Sequence, residues 1–195
     1  MGRSCHDCCF RRRIHDKEQT ASVVEIGDDM KNRCTKDIAD EVGKKLIERK
    51  ITISSAESIT GGMFAARLTD IPGISEVFMR GLVTYTNEAK MDLLGVKKET
   101  LDRHTAVSRE TADEMVEGLA ENAGTDICIA VTGIAGPGGG TPDKPVGLFF
   151  VAVKYKNRKT VKEMRSENCD RRYNRNYAMM CMFDMINRVI DEEEI

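Results

Sequence analysis

Apolar positions change their spacing several times along the chain, and each change marks a predicted element. Residues 1 to about 29 show neither helical nor alternating periodicity and mix Cys, His, Ser and charges of both signs, which predicts a disordered extension. An ordered domain is expected over residues 30–195. Ile38, Val42, Leu46 and Ile47 fall on one helical face and predict an amphipathic helix over Lys36–Glu48. Ile51–Ala56 is short, β-branched and bounded by charge, as a buried strand would be. Good helix formers, Met63–Leu68, follow Glu57-Ser58-Ile59-Thr60-Gly61-Gly62, so Thr60 takes the N-cap position. Pro72-Gly73 marks a turn, Val77–Tyr85 a second strand with Gly81 inside it, and Asn87–Leu94 a short helix closed by Gly95. Lys98–Arg103 forms another helical turn, and Ser108 with Thr111 caps a longer helix that ends near Asn122.

Asp126–Thr132 is nearly all apolar and β-branched, the pattern of a central strand covered on both faces. A glycine- and proline-rich loop, Gly133–Pro145, follows it. Gly147–Lys154 and Thr160–Ser166 then predict a hairpin across Tyr155–Lys159. A last helix, Arg171–Asp191, turns Ala178, Met182, Met185, Ile186 and Val189 to one side. Helices and strands alternate in part and pair locally in part, which predicts an α/β fold: a three-layer α/β/α sandwich with a mixed sheet.

Composition narrows the partners. Of 195 residues, 30 are Lys or Arg and 32 are Asp or Glu; the formal charge of −2 gives no bulk reason to expect nucleic acid or an anionic membrane. The longest uninterrupted apolar run, Leu148–Val153, is far shorter than the roughly 20 residues of a membrane-spanning helix. No apolar segment follows Arg11-Arg12-Arg13, so a secretory signal is not expected and a cytoplasmic location is. The 7 cysteines are odd in number and scattered, which is no disulfide framework. Cys5-His6-Asp7-Cys8-Cys9 lacks the second paired half of a zinc site, so neither a metal nor a cofactor is expected. The low charge and apolar last helix are compatible with a homo-oligomer.

Candidate chemistry gathers where ligands sit in such sheets, beyond the carboxyl ends of the strands. The Ser58–Gly62 turn, the segment from Thr84 to Lys90 and the glycine loop after Thr132 all belong to that edge. Alone, Ser-x-Thr-Gly-Gly is an ordinary helix opening, and a loop as long as this one is uncommon unless functional or disordered. Phosphate loops, dinucleotide fingerprints, zinc helices and nucleophile elbows are absent as motifs. His104 is the sole histidine of the domain, in a loop setting that suits a non-catalytic or substrate-lining role, so a serine nucleophile here would take lysine as its base.

The blocks Ala56-Glu57-Ser58-Ile59-Thr60-Gly61-Gly62, Arg80–Lys90, Thr132–Gly139, Lys144-Pro145-Val146-Gly147 and Asp170-Arg171 resemble, in order and spacing, those of the CinA C-terminal family. The resemblance covers about Lys36 to Ile190. It implies an amidohydrolase that converts nicotinamide mononucleotide (NMN) and water to nicotinate mononucleotide and ammonia in pyridine-nucleotide recycling, with Ser58 as nucleophile, Lys90 as base and Tyr85 beside them. The amides near Thr60 and Gly61, with Gly62 at the helix start, are candidate oxyanion donors. Arg171, with Arg175 one turn further along, is a candidate for the phosphate, and Thr132, Gly133, Ala135 and Gly136 offer a second cradle for phosphate or ribose. Ile59, Thr132 and Cys169 depart from the residues usual in the family. A nucleotide-binding module without catalysis, or an amidase for another small amide, are the alternative readings.

Overall fold

A computed structural model describes residues 35–168 and 170–192. The proposed extension over residues 1–29 and the departure at Cys169 lie outside the described residues. The chain runs α1 (Thr35–Arg49), β1 (Ile53–Glu57), α2 (Met63–Thr69), a 3-10 turn (Ile74–Glu76), β2 (Phe78–Val83), α3 (Asn87–Leu94), α4 (Lys98–His104), α5 (Arg109–Ala123), β3 (Ile127–Gly133), β4 (Leu148–Tyr155), β5 (Arg158–Arg165) and α6 (Arg171–Ile190).

The five strands form one sheet in the order β2-β1-β3-β4-β5. β2, β1 and β3 are parallel, whereas β4 and β5 add as an antiparallel hairpin. Alternation along β3 separates two cores: Ile127, Ile129 and Val131 face one side, Cys128 and Ala130 the other. The first side is covered by α1, α2 and α6, through Val42, Leu46, Phe64, Leu68, Met182 and Phe183 among others. The second is covered by α3, α4 and α5, through Leu94, Leu101, Met115, Val116 and Leu119. The fold is therefore the α/β/α sandwich with a mixed sheet that the hydrophobic pattern predicts.

Two element ends differ from the sequence reading. The hairpin turn is tighter than Tyr155–Lys159, because Tyr155 pairs with Arg158 and only Lys156 and Asn157 remain outside the ladder, Lys156 with a φ of 55°. β2 ends at Val83, so Tyr85 leaves the sheet and stands in the connection to α3.

Strand polarity explains the location of the chemistry. The carboxyl ends of parallel β1, β2 and β3 meet at one edge, which receives Ser58, Thr84 and the loop after Gly133. Leu148 opens β4 one residue from the point where Gly133 pairs with Phe149, and its partner Arg165 ends β5 there, delivering α6 to the same edge. The chain leaves β1 towards β2 on one side and later returns to place β3 on the other, so Ser58 follows a strand at which the strand order reverses.

Candidate active site

Ser58 and Lys90 arrive from different connections. Ser58 follows the fully buried strand β1 and is itself buried, its backbone amide tied to the Val131 carbonyl at 3.0 Å. Lys90 lies in α3, whose start is fixed by the Thr86 hydroxyl accepting from the Ala89 amide at 3.1 Å. The helix ends in paired bonds from Gly95 to Met91 and from Val96 to Lys90, with Gly95 in the left-handed conformation that glycine favours at such an end. Between these two stops Lys90 is 1 % exposed. Its Nζ donates to Ser58 Oγ at 3.0 Å and to the Thr84 carbonyl at 2.8 Å.

Burial pushes the Lys90 amine down from its ordinary 10.5 to about 8, because a charged ammonium loses hydration there. Both of its hydrogen-bond partners are neutral oxygens. An amine with that pKa spends part of its time neutral near physiological pH, and in that form it accepts the serine proton.

The loop that carries Ser58 is organised by Glu57, which the sequence reading left as the charged boundary of a strand. Glu57 is 1 % exposed, and its carboxylate accepts from the amides of Gly62 at 3.0 Å, Phe64 at 3.1 Å and Ala65 at 2.9 Å. A carboxylate thus closes the start of α2, in the field where negative charge is favoured. This corrects the placement of Thr60 as N-cap: Gly62 occupies that position, with φ 92°, and the buried Thr60 hydroxyl makes no hydrogen bond. The Gly61 amide donates to the Ser58 carbonyl at 3.1 Å and the Gly62 amide to Glu57, so these two of the amides proposed for an oxyanion are committed within the loop.

The two arginines of α6 have separate tasks. Arg171 Nη1 donates to the Gly136 carbonyl at 2.9 Å and Nη2 to Tyr85 Oη at 2.9 Å, bridging the glycine loop and the β2–α3 connection. Tyr85 is 58 % exposed and stands at the open side of the site. Arg175 reaches the nucleophile loop instead, from Nε to the Ile59 carbonyl at 3.2 Å and from Nη2 to the Thr60 carbonyl at 2.6 Å. Equal helical spacing does not give the pair a shared target, since the acceptors belong to two different loops.

The loop after β3 is pinned rather than loose. The Thr132 hydroxyl donates to the Ala106 carbonyl at 2.7 Å, tying the end of β3 to the segment ahead of α5. Gly133 is required sterically, because a Cβ there would lie 2.3 Å from Phe149 Cβ. Asn174 donates to the Ala135 carbonyl at 3.0 Å and to the Asn168 carbonyl at 2.9 Å. Lys144 Nζ gathers the His104 carbonyl, the Thr105 hydroxyl and the Val107 carbonyl at 2.6, 2.9 and 2.8 Å. His104 itself faces Glu110 at 3.6 Å, consistent with a position outside the Ser58–Lys90 contact. Sequence reasoning missed Glu57, Asn174 and Lys144; of these, a carboxylate just ahead of a glycine-opened helix was the readable signal.

Among the described residues there is no group of three or more potential metal ligands, and no helix is long and apolar enough to cross a membrane. A family model for the CinA C-terminal domain matches residues 35–190. A competence-damage inducible protein of Acetivibrio thermocellus is 54% identical over 147 residues, covering 75% of this chain and 35% of that protein. A counterpart from Clostridium perfringens is 46% identical over 186 residues, 91% of this chain and 45% of its own length. The chain therefore spans less than half the length of these curated relatives. Among solved structures, the competence/damage inducible protein CihA from Agrobacterium tumefaciens superposes with a TM-score of 0.77 at 40% identity, covering 80% of this chain and 95% of that one. A CinA superfamily protein from Klebsiella pneumoniae gives 0.78 at 32% identity, covering 82% and 99%. Order of motifs, sheet topology and these similarities agree: the chain belongs to the CinA C-terminal domain family.

Proposed function

We propose that this domain is a nicotinamide-nucleotide amidohydrolase of the cytoplasm, converting NMN and water to nicotinate mononucleotide and ammonia. The observation that carries the reading is the 3.0 Å contact between Ser58 Oγ and Lys90 Nζ, in a setting that lowers the lysine pKa to about 8. The substrate itself is the family's, brought by the shared motif blocks.

A carboxamide resists hydrolysis because its amine is a poor leaving group, so a covalent intermediate divides the task. Ser58 Oγ attacks the carboxamide carbon while neutral Lys90 takes the hydroxyl proton. The C–N bond then breaks, Lys90 returns that proton to the departing amine, and ammonia leaves an ester on Ser58. Water attacks the ester with Lys90 again as base, releasing the carboxylate and restoring the serine. The Thr84 carbonyl holds the lysine during both transfers, and Tyr85, tied to Arg171, flanks the pyridine. Arg171 and the amides of the loop after β3 form the anion side of the site, suited to a single phosphate. A panel containing NMN, nicotinamide riboside, nicotinamide and unrelated primary amides, each assayed for ammonia and for the matching acid, tests the substrate. Preference for NMN supports the reading; preference for another amide replaces it.

A further inference from the structure

The Ser58 carbonyl accepts the Gly61 amide at 3.1 Å, closing a four-residue turn whose central unit is the Ile59–Thr60 peptide. The two commonest turn types that share such a closing bond differ by a flip of the central peptide; the flipped form needs a positive φ at Thr60, which a β-branched residue resists and which Thr60 does not adopt. One side chain adds to that preference. Arg175 Nε donates to the Ile59 carbonyl at 3.2 Å and Nη2 to the Thr60 carbonyl at 2.6 Å. Because the peptide is planar and trans, fixing the Ile59 carbonyl also fixes the direction of the Thr60 amide.

Two further observations separate this role from substrate binding. Nε and Nη2 form one edge of the guanidinium, the kind of fork that grips a phosphate or carboxylate with two bonds, and that edge is spent on the main chain. The guanidinium also packs against the turn, since a Cβ on Gly61 would lie 3.3 Å from Nη2. Glu57 holds the residues that follow through three amides, so the nucleophile loop is gripped by a cation through its carbonyls and by an anion through its amides.

We infer that Arg175 is a positioning residue: by locking the Ile59–Thr60 peptide it sets the aim of Ser58 towards Lys90, and it does not bind the substrate's phosphate. The inference rests on the reading of Ser58 as nucleophile. Arg175→Lys retains one donor and the charge, Arg175→Ala neither, and both are compared with the unaltered protein in NMN turnover and in the rate at which a fluorophosphonate probe labels Ser58. A positioning role lowers kcat and the labelling rate together by about 10- to 100-fold in Arg175→Ala, with KM for NMN within about twofold. Arg175→Lys falls between, and added guanidinium ion restores part of the loss in Arg175→Ala. A KM for NMN raised about tenfold or more, with kcat and labelling unchanged, identifies a phosphate ligand and overturns the inference. If the unaltered protein labels at Ser58 without turning over NMN, the labelling rates alone decide between these results. If it neither labels nor turns over NMN, the reading of Ser58 fails, and the inference fails with it.

Discussion

Lys90 Nζ reaches Ser58 Oγ at 3.0 Å across 32 residues of chain, and the second contact of the amine is a backbone carbonyl rather than a carboxylate. A carboxylate partner would hold the ammonium form; a carbonyl and a hydroxyl in a buried site leave the amine near the balance between its two states. The first consequence is a pH profile. With a pKa of about 8 for the free protein, kcat/KM for the amide should rise with pH, fall off about tenfold per unit well below 8, and level above it. An initial-rate series between pH 6 and about 9.5 measures this, and a profile already flat at pH 6 contradicts lysine as the base.

The same burial bears on stability. Lys90 binds its proton less well in the folded chain, at about 8, than in the unfolded chain, near 10.5, so the cost of burying charge is fully present below 8. That cost is relieved as pH rises from 8 to 10.5, where the unfolded state holds more protons than the folded one. Lys90→Met should therefore abolish turnover and raise Tm, with the gain largest below pH 8 and shrinking above it. Thermal melts of both proteins at pH 7 and at about pH 9.5 provide the comparison, and an equal Tm difference at both would contradict the linkage.

Glu57→Gln replaces one carboxylate oxygen by an amino group that faces backbone N–H donors at the start of α2. Charge-assisted bonds are lost and a donor is set against a donor, so stability should fall by about 2 kcal/mol or more. Because the same bonds hold the Ser58 loop, kcat should fall as well. Denaturant unfolding together with steady-state rates will show both; unchanged stability would mean that the carboxylate is not the anchor of the loop.

Gly133→Ala places a methyl group 2.3 Å from Phe149 Cβ and 2.9 Å from the Leu148 carbonyl, where β3 and β4 meet. Backbone has to move, at a cost of about 1–3 kcal/mol or more. The expected result is a lower Tm with weakened substrate binding, since the displaced segment leads into the loop that Arg171 holds at Gly136. Gly138→Ala meets nothing within 4 Å and is the control, with little change in Tm.

The parts of this arrangement that were legible in the sequence depend on spacing along one segment. Ile127, Ile129 and Val131 alternate with Cys128 and Ala130, and that pattern alone announces a strand with two covered faces. Ser58 and Lys90 were legible through their motif blocks, and the structure brings the two atoms together. Partnerships made across the fold were not legible. Glu57 reads as the polar end of a strand until the amides of α2 are seen to fold back over it. Arg171 and Arg175 share one helical face in any reading, but only the tertiary arrangement sends one to Gly136 and Tyr85 and the other to Ile59 and Thr60. Thr60 satisfies every local rule for a cap, yet the buried carboxylate three residues earlier takes the Gly62 amide and reaches on to those of Phe64 and Ala65.

The measurement that bears most directly on the central claim is ammonia release from NMN by the purified protein, beside Ser58→Ala and Lys90→Met, with a chelator present throughout. The account predicts steady ammonia and equimolar nicotinate mononucleotide from the unaltered protein and a loss of about a thousandfold or more in either variant, both of which remain folded by circular dichroism. Ammonia release that continues in Ser58→Ala at more than a few per cent of the original rate, or none from the unaltered protein while NMN still binds, would contradict it.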